Sequence, residues 1–252
     1  MHSNKKEIQI LLGLLQRQQP CFKNGVNMDF DKTIGGYLEN TEWKGRTDIG
    51  CLLNGCRQMY AATQDERYQK FILQYVEKMS EEWENAFSKT DVTKKINAGS
   101  AWIFAYEKTG EEKYKEYIER MKDDLMGLSR TAEGSLCEEG DHKKLMTGQH
   151  LYEVLPFYME YETRYHNKAG YNDIVNQLTE MRSGKDAIWY VMALIDVLDH
   201  MSIEIFEHYK SLQEIFKKTI KCIPLGGDAK MQKVCMGYAI LKACNIGILN
   251  TE

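Results

Sequence analysis

The chain has 252 residues, long enough to bury one sizeable hydrophobic core. With 43% hydrophobic and 28% charged residues, its make-up is that of a globular protein and excludes a wholly disordered one. The formal net charge of −4, with no run of Lys and Arg interleaved with aromatics, argues against nucleic acid as a partner.

The N-terminus, MHSNKKEIQILLGLLQRQQP, resembles a secretory leader only superficially. Its apolar run is short, and Gln9, Gln16, Arg17 and Gln18 fall at helical spacing, which predicts an amphipathic helix. No stretch nears the roughly 20 apolar residues that a bilayer requires, so a cytoplasmic protein without membrane contact is expected. The seven cysteines are odd in number and form no CxxC pair, which favours free thiols acting as small hydrophobes. Neither a metal nor a cofactor is expected from this residue set.

Only three prolines occur (Pro20, Pro156, Pro224), and apolar residues recur every three or four positions almost throughout. The spacing predicts helices over 4–18, 48–62, 65–85, 96–108, 111–128, 148–165, 170–181, 186–200, 203–222 and 229–246. No linker rich in Pro, Ser or Gly interrupts them, so residues 1–252 are read as a single all-α domain of about ten helices.

The helices form pairs, and the pairs resemble one another. Tyr60, Thr63, Asp65, Glu66, Arg67 and Tyr68 correspond to Tyr106, Thr109, Glu111, Glu112, Lys113 and Tyr114, with a weaker echo at Tyr161, Thr163 and Tyr171. A period of about 46–50 residues marks a helical-hairpin repeat whose units stack to bury their apolar faces. The first helix of each pair is small and apolar (Gly50, Cys51, Gly55; Ala98, Gly99, Ala101), while the second is charged (Glu66, Arg67, Lys70; Glu112, Lys113, Glu116). Small inner and charged outer helices favour a ring of hairpins, an α/α toroid. A solenoid of the TPR kind is the alternative.

Five motifs in order carry a family resemblance: Tyr-x-x-Thr-Gly-acid-x-x-Tyr (106–114), SRT-x-EG (129–134), LYEVLPFYMEY (151–161), WYVMALIDVL (189–198) and YAILKACNIGIL (238–249). From about Asp48 onward the chain resembles the unsaturated rhamnogalacturonyl and glucuronyl hydrolases, glycoside hydrolase families 105 and 88. The resemblance implies a toroid of six helical hairpins with substrate bound in a funnel at one end. It also implies a reaction in which an aspartic acid protonates the C4–C5 double bond of an unsaturated uronic acid and water adds. A carboxyl group suits that task because it can deliver a proton and then activate the water.

Carried over residue by residue, the resemblance breaks at the chemistry. The family's catalytic aspartate precedes the Pro of its Pro-Phe pair by seven residues, a position held here by Gln149, which cannot transfer a proton at neutral pH. Thr147 stands where the family has an aromatic, and Lys94 where it has a second aspartate. The uronate-binding Arg-Gly-x-Gly-Trp appears as Lys185-Asp186-Ala187-Ile188-Trp189, and Lys lacks the bidentate fork of Arg. Only about 25 residues separate Tyr165 from Trp189, too few for the family's His-bearing, tryptophan-rich segment, and the predicted helices make five hairpins rather than six.

The candidate binding residues are therefore Asp48, Lys94, Gln149, His150, Lys185 and Trp189, with no catalytic residue assigned. Asp48 is the surviving acid nearest the expected funnel, although a helix N-cap is its plainer role. His150 points about 100° away from Gln149 on a helix and would not take the aspartate's place. Glu153 is assigned to a polar helix face or a rim salt bridge, and the acidic run from Cys137 to His142 to a solvated loop. Three functions follow: a degenerate relative that binds an oligosaccharide or a protein, an active glycoside hydrolase using other residues, or a helical-repeat interaction module. A missing hairpin would expose apolar inner-helix surface, so a homo-oligomer is also expected.

Overall fold

The structure is a computed structural model that describes residues 47–83, 92–180, 187–223 and 230–250; the helix expected over 4–18 lies outside them. The described residues form ten helices and one small hairpin. In chain order these are α1 (Thr47–Thr63), α2 (Glu66–Glu81), α3 (Val92–Asn97), α4 (Gly99–Thr109), α5 (Glu112–Met126), β1 (Cys137–Glu138), β2 (Asp141–Leu145), α6 (Gly148–Arg164), α7 (Tyr171–Glu180), α8 (Ala187–His200), α9 (Phe206–Cys222) and α10 (Lys230–Asn245).

Successive hairpins stand side by side, giving the all-α toroid that the repeat predicts. Helices α1, α3–α4, α6, α8 and α10 form the inner layer, and α2, α5, α7 and α9 pack outside it. Burial follows the layers. The outer helix α5 buries only a stripe, Tyr114, Ile118, Met121 and Leu125, whereas the inner helix α8 buries every residue from Tyr190 to Leu198. The buried apolar residues form one continuous cluster.

Two glycines let the inner helices approach. A Cβ on Gly50 would stand 1.6 Å from Asn97 Oδ1 and 2.9 Å from the Asn97 carbonyl oxygen, and one on Gly99 would stand 2.5 Å from the Phe157 ring. The repeated turns also share chemistry. At the end of α1 the Thr63 hydroxyl donates to the Met59 carbonyl (2.6 Å) and accepts from Asp65 N (3.2 Å). Thr109 does the same with Ala105 (2.9 Å) and Glu111 (3.2 Å) at the end of α4. Each turn reverses through a left-handed residue, Gln64 (φ 56) in the first and Gly110 (φ 71) in the second. In the echo, Thr163 donates to Met159 (2.8 Å), and its hydroxyl meets Tyr171 at 2.6 Å.

Two local expectations need correction. The helix predicted over 96–108 is two helices, α3 and α4, which meet at Ala98. The acidic run after Cys137 is not an irregular loop but an antiparallel hairpin, with Cys137 opposite Leu145 and a turn through Gly140 (φ 79). No helix among the described residues is long and apolar enough to cross a membrane.

Candidate functional site

The first turn of α6 sets the site. Thr147 is its N-cap, extended at φ −73 and ψ 167, and its hydroxyl accepts from His150 N at 3.4 Å. That cap places Gln149 and His150 at the helix mouth. Gln149 Nε2 then donates to Glu153 Oε1, one turn further in, at 3.1 Å. The other Glu153 oxygen accepts from the Thr93 hydroxyl on α3. Glu153 is therefore not a rim residue: it is 1% exposed, with both oxygens engaged by neighbours on two inner helices.

Behind Glu153, the space between Gly50, Asn97, Glu153, Pro156, Asp196 and their neighbours amounts to about 20 Å³, room for roughly one water and not for a sugar. Charged side chains pair across the inner helices beside it. Arg57 of α1 grips Glu160 of α6 with both guanidinium nitrogens (3.1 and 2.5 Å), and His200 of α8 lies 3.6 Å from the same carboxylate. Burial alone would push the Glu160 carboxyl up, but the Arg57 charge, then His200, and hydrogen bonds from Arg57 and Ser100 hold it well below the usual carboxylate range. Burial pushes the His200 imidazole down despite the attraction of Glu160.

A second cluster lies beside the first. Lys242 of α10 donates to Asp196 (2.8 Å) and pairs with Asp199 (2.7 Å), both on α8. Tyr238 donates to Asp196 at 2.7 Å, and Asn54 of α1 donates to it at 3.2 Å. Burial opposes the charge on Lys242, but Asp196, Tyr238 and Asp199 outweigh it and hold the ammonium well above its ordinary value. These bonds tie α1, α8 and α10 together across the axis.

A larger space lies to one side among the described residues. A groove of about 710 Å³ runs between α3, α5, the β-hairpin and the start of α6, with Thr93, Asp123, Glu138, Glu139, Met146 and His150 in its wall. Its charges are partly paired, Asp124 with Lys95 and Glu138 with Lys144 (2.7 Å). Cys137 is buried at the groove's edge, with its sulfur 3.7 Å from His142 Nδ1. No group of His, Cys, Asp and Glu among the described residues is arranged to hold a metal ion.

Gln149 and His150 share the mouth of α6, and of the four candidates with described side chains His150 lines the groove. Lys94 is half-buried on α3. The Trp189 ring lies 5.4 Å from that of buried Tyr152, tilted by 40°, and so backs the inner wall. Asp48 falls in the first turn of α1 with its side chain outside the described residues, and Lys185 lies outside them altogether. Sequence reasoning missed Glu153 as a buried acid and missed Arg57, Glu160, Asp196, His200 and Lys242 as an axial network. The available signal was charge inside apolar runs, such as Asp196 within WYVMALIDVL.

Comparison with known proteins agrees with the fold. The chain is similar to the glycoside hydrolase from family 105 of C. acetobutylicum ATCC 824, with a TM-score of 0.70 and 17% identity over 87% of this chain and 78% of that one. A likeness at that identity establishes the fold. The model of Glycosyl Hydrolase Family 88 matches residues 29–187, well over half of the sequence. The recurring hairpins, the LYEVLPFYMEY helix and this match together show that the chain belongs to glycosyl hydrolase family 88.

Proposed function

We propose that this family member does not hydrate unsaturated uronides and instead binds a carbohydrate or a protein at the mouth of the toroid. One observation carries the reading. The position of the motif acid is held by Gln149, whose amide is spent on Glu153, and the space behind that pair admits about one water rather than a sugar ring. A carboxylic acid that a sugar cannot approach cannot protonate its double bond, because proton transfer needs hydrogen-bond reach, about 2.6–3.2 Å. The groove beside His150, about 710 Å³, is of a size that holds a small oligosaccharide.

The test is incubation with an unsaturated galacturonyl or glucuronyl disaccharide, following loss of the ultraviolet absorbance of the C4–C5 double bond. No loss above a protein-free control is expected. A second reading, an active hydrolase on another glycoside, draws support from Glu153, which is separated from the groove only by the Thr93 hydroxyl. Turnover that Glu153→Gln abolishes would select it. A homo-oligomer is part of the proposal, prompted by Val234, which is 68% exposed on the inner helix α10. A monomer in light scattering at micromolar concentration would remove that part.

A further inference from the structure

The axial cavity has a feature that neither the family fold nor the binding reading requires. Asn97, at the end of α3, turns its Oδ1 against Gly50, and the oxygen is buried with no hydrogen-bond donor among the described residues. A buried acceptor without a donor is costly, and nearly all such atoms in folded proteins have a protein or water partner. The neighbouring space is about 20 Å³, above the minimum for one water, and its largely apolar wall carries several polar groups. They include the acceptors Asn97, Glu153 and Asp196 and the donors Asn54, Ser100 and His200.

We propose that this cavity is a built site for a single water molecule, anchored by Asn97 Oδ1 and completed by one carboxylate of the wall, Glu153 or Asp196. The water gives one O–H to Asn97 Oδ1 and the other to that carboxylate, with Asn97 as the positioning residue of the site. The inference does not depend on the protein's ligand or on whether the family reaction occurs.

Oxygen-17 magnetic relaxation dispersion, which counts long-lived buried waters, tests it on the full chain. The wild type should show one more such water than Asn97→Leu, which removes the acceptor and fills the space. Asn97→Asp, which keeps an acceptor there, should retain it. Equal counts in the wild type and Asn97→Leu would overturn the proposal. If Asn97→Leu does not fold, a high-resolution crystal structure of the wild type decides. A density peak within hydrogen-bond distance of the Asn97 side-chain oxygen supports the site, and a bare cavity refutes it.

Discussion

Replacing Arg57 by Met removes the bidentate partner of Glu160 while keeping most of the side-chain volume. The two side chains are 12% and 1% exposed, so Glu160 would be left as a carboxylate out of contact with water. Its remaining cation is Arg164, with Nε at 3.2 Å on a side chain 40% exposed; His200 at 3.6 Å is an imidazole whose protonation burial disfavours. Breaking a buried pair on one side costs about 3–5 kcal/mol, and the Arg164 contact places this case near the lower end. Because protonation can relieve the stranded charge, the loss should shrink as pH falls below about 6, towards the range where a buried carboxyl titrates. Arg57→Met/Glu160→Leu, which removes both charges, should recover most of the loss. Urea unfolding followed by far-ultraviolet circular dichroism at pH 7 and pH 5 gives the values. A loss under about 1 kcal/mol, equal at both pH values, is what an exposed surface pair would give and would refute a dry, ion-plugged axis.

Three further outcomes follow from the same geometry. Gly50→Ala forces a methyl group into Asn97 and should cost about 1–3 kcal/mol in urea unfolding, against almost nothing for Gly55→Ala, where no atom lies within 4 Å. Gly110→Ala places a side chain at φ 71 and should cost about 1 kcal/mol, read as a lowered melting temperature. Stability should fall in two stages on acidification. The His200 pKa is depressed by burial, so its contribution is full above the unfolded value of about 6.5 and is lost as pH drops through the folded one. Glu160, Asp199 and Asp173 are also depressed, against burial, by their charged and hydrogen-bonding partners, so their contributions hold above about pH 4 and vanish below it. A stability flat between pH 7 and 5 would contradict a buried neutral His200.

The sequence showed the architecture because the repeat is a local device. Each Thr63-type turn is built from residues within a few positions of one another, and each outer helix buries an apolar stripe at helical spacing. The break at Ala98 was not legible, since Lys95, Ile96, Asn97 and Ala98 keep helical spacing and Ala98 itself stays in the right-handed helical region (φ −82, ψ −8). The hairpin after Cys137 was missed because β2 is exposed along its whole length and carries no alternating pattern. At the site, the loss of the motif acid was plain from the Gln149–Pro156 spacing. What took its place was not. Glu153 looked like a polar face residue because its other partner, Thr93, comes from a different helix 60 residues away. The axial network joins Arg57 to Glu160 across 103 residues and Asp196 to Lys242 across 46, and composition or periodicity has no access to pairings at that range.

The measurement that bears most directly on the account is the rate at which the wild-type chain consumes an unsaturated uronyl disaccharide, beside Gln149→Asp and Glu153→Gln. The account predicts no consumption by the wild type at micromolar enzyme over hours, because Gln149 has no proton to give and Glu153 faces a space for one water. Sustained turnover by the wild type, lost in Glu153→Gln, would show that the acid had moved one turn down α6 rather than disappeared.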